Sequence, residues 1–94
     1  MAGQFVVVTY DISDDRRRTR LHDTLLQYGT PVQYSVFECL LEAKRLQAMK
    51  RDVRRVIRPR IDRVRYYHLC AGCVKGIEVT SGPEVLGEVE AIVV

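Results

Sequence analysis

The sequence lacks any long apolar run. The stretch from Phe5 to Val8 is representative, and it is far shorter than the roughly 20 apolar residues that a membrane-spanning helix needs. The N-terminus also lacks a basic segment followed by a long apolar one, the pattern of a secretory signal. We therefore expect a cytoplasmic protein that does not cross a membrane.

Cysteine is scarce and odd in number. Cys39, Cys70 and Cys73 argue against the disulfide framework of a small secreted domain and favour reduced thiols. Cys70 and Cys73 have the spacing of many zinc and redox sites, but a zinc site needs a second ligand pair. We therefore expect no zinc site. We also expect no redox site, because the two thiols fall in a predicted hairpin turn rather than at the start of a helix.

The remaining composition is that of a folded protein. Of the 94 residues, 47% are hydrophobic and 29% are charged, which excludes a disordered tail. No internal repeat, low-complexity segment or linker divides the chain. Residues 1–94 are therefore predicted to form a single small domain with one core.

Positive charge is concentrated in the middle of the chain. Fourteen of the 15 Lys and Arg residues fall between Arg16 and Arg65, whereas four glutamates and no basic residue follow Lys75. A basic body favours a polyanionic partner such as nucleic acid. The alternative, an ordinary set of solvated helix faces, is equally compatible with charge alone.

Hydrophobic periodicity predicts alternating strands and helices. A buried strand is indicated by its β-branched and aromatic residues, and a helix by apolar residues that recur every three or four positions. Residues 32–41 are β-rich, and no turn signal decides between one bent strand and two short ones. The other predicted elements are strand 5–10, helix 15–28, helix 42–58, a hairpin of strands 62–70 and 74–79, and a last strand 85–94.

This order of elements predicts an α+β sandwich in which both helices cover one face of the sheet. The other face would then have no cover within the chain, leaving Val7, Phe37 and Leu69 exposed. Such a face favours a homodimer packed through the sheets. Residues 82–94 are predicted to form a strand or tail that contributes to this dimer by pairing with a sheet edge.

Asp11 lies where the first strand meets the loop before the first helix, a place from which side chains reach into clefts. Mg²⁺ is held by one or two carboxylates together with water and phosphate oxygens. A twofold axis near Asp11 would supply the second carboxylate from a partner, and the shared metal would activate water against a phosphodiester. The alternative is that Asp11 only orders the turn.

Arginines cluster at the start of the first helix, where the helix dipole disfavours positive charge. The cluster consists of Arg16, Arg17, Arg18 and Arg20. Guanidinium groups match phosphate oxygens, so these residues are candidates for binding a nucleic-acid backbone. Pairing with Asp11, Asp14 and Asp15 is the alternative, and Asp14 and Asp15 are better explained as helix caps.

Several motifs together resemble a known family. They are "VVVTYDISDD", the arginines Arg18 and Arg20, and "GTPVQYSVFE" from Gly29 to Glu38, in a chain of similar length. The sequence resembles the CRISPR-associated protein two family, the second of the two universal proteins of spacer acquisition. The resemblance covers nearly the whole chain and is weakest in the C-terminal third. It implies a homodimeric ferredoxin-like βαββαβ fold with an extra C-terminal strand, and it favours two short strands within residues 32–41.

The resemblance also implies a function, that of a metal-dependent endonuclease acting on single-stranded RNA or double-stranded DNA. Asp11 matches the family's metal-binding aspartate, and Tyr10 matches the tyrosine beside it. Four further residues match family positions that contact nucleic acid, namely Arg18, Arg20, Ser35 and Phe37. A basic residue that some members carry just before the second motif is missing, since Pro31 and Val32 stand there.

A second, non-catalytic role is implied as well. Family dimers bridge dimers of a larger integrase subunit and hold the duplex DNA to be inserted. In that role Arg54 and Arg55, on the basic side of the second predicted helix, would contact the duplex and the C-terminal tail would dock the integrase. A general RNA-binding module is a weaker alternative, because Tyr66 and Tyr67 are strand neighbours that point to opposite faces.

Overall fold

The structure, a computed structural model, describes residues 3–86 and forms one antiparallel sheet with helices. The strand order is β2-β3-β1-β4, which confirms the predicted ferredoxin-like βαββαβ arrangement. The predicted last strand falls mainly on residues outside the described range. The elements are β1 (Gln4–Asp11), α1 (Asp15–Leu25), β2 (Gly29–Gln33), β3 (Val36–Leu41), α2 (Ala43–Val56), β4 (Arg63–Leu69) and α3 (Ala71–Lys75). Within this range no helix has the length and apolar character needed to cross a membrane.

Helices α1 and α2 bury one face of the sheet. Alternate residues of β1 project toward them, and α2 contributes Leu46, Met49 and Val53 at the spacing of one helix face. Asp14 caps α1 by accepting a hydrogen bond from the Arg17 backbone N–H at 2.9 Å, as predicted. Local pattern and capping therefore place the helices, and burial against β1 fixes them.

Residues 32–41 are divided between two strands, as the family resemblance implied. A two-residue turn at Tyr34 and Ser35 joins β2 to β3, and a register shift between Pro31 and Gln33 adjusts their pairing. Gly29 permits the close approach of the two strands, because a Cβ there would overlap the Glu38 carbonyl oxygen and the Cys39 Sγ. Turn and register were both invisible in the local sequence.

The predicted hairpin after β4 is wrong. Residues 71–75 form the short helix α3, and no strand is present from residue 76 to residue 86. Cys70 begins α3, and its Sγ accepts a hydrogen bond from the Cys73 backbone N–H at 3.5 Å. The two sulfurs lie 3.4 Å apart at the start of a helix, which removes the reason for which a redox role was dismissed.

The second face of the sheet is also covered in part, contrary to expectation. Val74 of α3 is buried and packs with Phe5 and the half-buried Val7 and Leu69. The Leu86 backbone N–H donates to Glu38 Oε1 at 2.9 Å. This hydrogen bond holds Leu86, the last residue that the structure describes, over the same face. Ala71, Ile77, Val85 and Leu86 pack around the same cluster, so α3 and the segment after it together supply this partial cover.

Candidate functional site

Tyr10 and Asp11 are adjacent in sequence but project to opposite faces of the sheet, because strand side chains alternate. Tyr10 is buried against the helices, where its ring lies 6.4 Å from that of Phe37. Its hydroxyl donates to the Tyr34 carbonyl oxygen at 3.5 Å, and burial raises the pKa of the phenol. Within one chain, Tyr10 therefore supports the β2–β3 turn and does not approach the Asp11 carboxylate.

Asp11 is exposed at the end of β1, on the face that the two long helices leave open. It lines a cavity of about 190 Å³ together with Thr9, Tyr10, Arg63 and Arg65. None of the ion pairs found among residues 3–86 involves Asp11. Its carboxylate is thus available to an external cation.

The donor set fits half of a magnesium site. The described part of the chain contains no group of three or more His, Cys, Asp or Glu residues that could hold a metal. Mg²⁺ needs only one or two protein carboxylates when water and phosphate oxygens complete its shell. One Asp11 from each of two copies would meet that requirement, whereas one chain alone offers a single carboxylate.

Arg18 and Arg20 lie on α1 in different surroundings. The Arg18 Nη1 donates to the Ile12 carbonyl at 2.9 Å, and its Nη2 pairs with the Asp15 carboxylate. Arg18 also lines a cavity of about 250 Å³ with Tyr10 and Tyr34. Arg20 is exposed. Arg18 therefore pairs with an aspartate of its own turn, which was the alternative to phosphate binding. Its guanidinium is partly exposed and still faces a cavity.

Arg17 has a structural position. Its Nε and Nη2 donate to both carboxylate oxygens of Asp62, at 2.8 and 3.1 Å. Asp62 is buried and also accepts the Arg58 backbone N–H at 2.8 Å. The pair fastens the start of α1 to the loop before β4, so Arg17 is not free to bind a ligand.

Ser35 lies in the β2–β3 turn, and Phe37 lies two residues later, in β3. The Ser35 carbonyl oxygen accepts the Tyr10 backbone N–H at 3.1 Å. Phe37 has no exposed surface, and its ring packs edge-on against His22 at 5.2 Å between centroids. Direct contact of the Phe37 ring with nucleic acid is incompatible with this burial. Its predicted role is therefore corrected to positioning the turn.

Helix α2 presents a basic surface to solvent. Its exposed cations are Lys44, Arg45, Arg51, Arg54 and Arg55. Arg55 is held 3.7 Å from Asp52, whereas Arg54 borders a cavity of about 290 Å³ at the junction of α2 and β4. The fold thus separates this surface from Asp11, which lies on the opposite side of the sheet.

Three candidate residues were missed from sequence. Tyr34, at the tip of the β2–β3 turn, is 79% exposed beside Arg18. Arg63 and Arg65 accompany Asp11 on the second face. A recognised turn at residues 34 and 35 could have indicated Tyr34, but only strand register brings β4 beside Asp11.

Similarity to known proteins extends over most of the chain. The family described as CRISPR associated protein Cas2 matches residues 4–77. A relative from Thermus thermophilus, named CRISPR-associated endonuclease Cas2 2, is 40% identical over 98% of this chain and 100% of its own length. A relative from Chloroflexus aurantiacus, named CRISPR-associated endoribonuclease Cas2 3, is 45% identical over 69% of this chain and 70% of its own.

A solved structure has the same fold. The hypothetical protein TT1823 from Thermus thermophilus superposes with a TM-score of 0.78 and 38% identity, covering 87% of this chain and 96% of that protein. The family match, over residues 4–77, includes every described strand and both long helices. The fold, the Tyr10-Asp11 strand end and the sequence matches lead to one conclusion: this chain belongs to the CRISPR associated protein Cas2 family.

Proposed function

We propose that this protein is a Mg²⁺-dependent endonuclease that cleaves phosphodiester bonds in RNA or double-stranded DNA during CRISPR spacer acquisition. The observation that carries the proposal is the exposed Asp11 carboxylate at the end of β1. Relatives named endonuclease and endoribonuclease support a nuclease. The basic middle of the chain favours an anionic substrate.

The active species in this proposal is a homodimer. Asp11 from each copy would hold the shared Mg²⁺, and the bound ion would activate water and offset charge on the phosphodiester. Arg20, and Arg18 once its pair with Asp15 opens, would hold backbone phosphates through their guanidinium groups. Ser35 would keep the β2–β3 turn in place beside them through its carbonyl bond to Tyr10.

The nuclease proposal is tested by incubating the purified protein with labelled single-stranded RNA and duplex DNA. We expect cleavage of at least one of them with Mg²⁺ and none with EDTA. Restoring excess Mg²⁺ to the EDTA sample should restore cleavage, which separates metal loss from inactivation. Equal cleavage with EDTA, or none of either nucleic acid with Mg²⁺, would contradict the proposal.

The basic surface of α2 favours a second candidate function. A dimer could hold duplex DNA for a larger integrase subunit without cleaving it, since α2 and Asp11 lie on opposite sides of the sheet. Phosphate contacts by Arg54 and Arg55 would then supply affinity without sequence preference. This function needs the α2 surface and does not need a metal at Asp11.

Replacing Arg54 and Arg55 by glutamate tests the second function. We expect weaker duplex binding, and a slope of log affinity against log salt that is smaller by about 0.9 for each lost phosphate contact. Fluorescence anisotropy at several KCl concentrations measures it. The matched control is Arg60→Glu with Lys75→Glu, which changes net charge equally at two exposed positions off this helix. An unchanged slope in the α2 variant would remove the support for the scaffold function.

A further inference from the structure

The side of the sheet that carries Asp11 also carries two arginines from the neighbouring strand. In the antiparallel β1–β4 ladder, Asp11 stands opposite Arg63 and Thr9 stands opposite Arg65. Alternate residues of a strand share a face, so all four side chains lie on the face opposite α1 and α2. Directly opposed Cβ atoms in such a ladder are about 4.5–5.5 Å apart. The fold therefore places Arg63 directly across from Asp11, and Arg65 one residue pair farther along the same face.

These side chains border open space. Thr9, Asp11, Arg63 and Arg65 line the same cavity of about 190 Å³. Asp11, Arg63 and Arg65 are exposed, and Thr9 is half-buried. The cavity is large enough to admit a group of the size of a phosphate while leaving the carboxylate accessible from solvent.

Neither arginine pairs with a carboxylate in the described part of the chain. Arg17, Arg18 and Arg55 each lie within 4 Å of an aspartate, but no ion pair among residues 3–86 includes Arg63 or Arg65. Arg65 donates from Nη1 to the Tyr67 hydroxyl at 3.0 Å, a neutral acceptor. The surroundings of Asp11 consequently carry an excess of positive charge.

The positive charge around Asp11 disfavours binding of a metal ion that has no anion with it. Two guanidinium groups near one carboxylate oppose the approach of Mg²⁺, unless an anion enters with it. A phosphodiester provides that anion, since its two free oxygens accept the guanidinium fork and also serve as magnesium ligands.

We propose that Arg63 and Arg65 form a phosphodiester-binding site beside Asp11, which holds the backbone of the nucleic acid where β1 ends. The proposal rests on the proposed function for the identity of its ligand. It differs from the contacts assigned to Arg18, Arg20 and α2, because those lie on other surfaces. It requires β4 to be part of the site and needs no metal for binding.

The test is binding in EDTA, where cleavage cannot interfere. The probe is a fluorescein-labelled single-stranded RNA of 12 uridines, titrated at KCl concentrations from 50 to 200 mM. For Arg63→Gln with Arg65→Gln we expect a salt slope smaller by about 1.4, at 0.7 per contact on a single strand. The affinity lost across that salt range should then be about sevenfold smaller than in the wild type.

Three further variants make the outcome decisive. Arg60→Gln with Lys75→Gln removes the same charge elsewhere and should leave the slope near that of the wild type. Arg63→Lys with Arg65→Lys keeps the charge and should restore most of the slope. Asp11→Asn should bind RNA at least as well as the wild type, because a negative charge beside the phosphate has gone.

Two results would overturn the inference. One is an unchanged salt slope in the glutamine variant, whatever effect Asp11→Asn has on the cleavage rate. The other is a lysine variant that binds as poorly as the glutamine variant, which would show that the arginines support the fold or the dimer. Failure of the nuclease proposal is separate, since it is measured by Mg²⁺-dependent cleavage and leaves the binding data in EDTA unaffected.

Discussion

Replacing Asp11 by asparagine is expected to reduce Mg²⁺-dependent cleavage of RNA or duplex DNA by at least about 100-fold, while leaving the fold intact. The side chain is exposed and enters none of the ion pairs of residues 3–86, so stability should change little. Asparagine keeps the size of the side chain but removes the charge that holds a hard cation. The measurement is the cleavage rate at saturating Mg²⁺, with thermal unfolding as the check on folding.

Asp15→Asn is the matched control, because Asp15 is an exposed aspartate of the adjoining turn that pairs with Arg18. We expect it to retain most of the activity. If both variants cleave as fast as the wild type, Asp11 does not hold the catalytic metal, and the nuclease proposal fails in its present form.

Mixed dimers show whether the two Asp11 residues act together. If chains are unfolded and refolded as an equal mixture of wild type and Asp11→Asn, random pairing leaves about one quarter of the dimers with two carboxylates. A site shared across the twofold axis predicts about one quarter of the wild-type activity, whereas independent sites predict about one half. A result near one half would contradict the shared site.

The largest expected effect on stability comes from Asp62. Asp62→Ala should lower the free energy of unfolding by about 3 kcal/mol, because it leaves Arg17 with only the 3.8 Å pair to the exposed Asp14 and leaves the Arg58 N–H without its acceptor. In a domain of this size that corresponds to a fall in Tm of roughly 12–24 °C. Urea unfolding at fixed protein concentration measures the change, since a dimer would make stability depend on concentration.

An exposed pair provides the comparison. The side chain of Asp15 is 88% exposed in its pair with Arg18, against 1% for Asp62, so Asp15→Ala should cost less than about 1 kcal/mol. Arg17→Met combined with Asp62→Ala should recover part of the loss, because the unpaired cation is then removed as well. Equal costs for the two aspartates would contradict the structural role of Asp62.

The same carboxylate gives a pH dependence of stability. The hydrogen bond from Arg17 is the main cause that holds the pKa of Asp62 below its usual range. A carboxyl group with a depressed pKa in the folded state contributes stability above its unfolded pKa of about 4, and loses it as pH falls through the folded value. The wild type should therefore lose stability below about pH 4 more steeply than Asp62→Ala.

The first strand and the second helix were predictable because their signals are local. The β-branched run at the start of the chain and the apolar stripe of Leu46, Met49 and Val53 each specify one buried surface. The cap at Asp14 is local as well, since its oxygen reaches only three residues along the chain. Asp11 was found for the same reason, being the acidic residue at the end of a recognisable strand.

The incorrect hairpin shows where local signals fail. Residues 74–79 alternate as a strand would, yet the chain around Cys70 and Cys73 turns into α3 and places Val74 on Phe5. The alternation was short, and it gave no sign of the apolar patch on β1 and β4 that Val74 covers. Phe37 was misassigned for a related reason, because its face is set by pairing with Val8 of the distant strand β1.

The features of this protein thus separate into those decided by the local sequence and those decided by the fold. The sequence by itself determined the strand that ends at Asp11, the cap at Asp14, the basic middle of the chain and the family. Only the tertiary structure turned Tyr10 away from Asp11, tied Arg17 to Asp62, and brought Arg63 and Arg65 beside the carboxylate. Helix and strand preferences act over a few residues, whereas strand pairing joins residues far apart and is decided by the packing of the whole sheet.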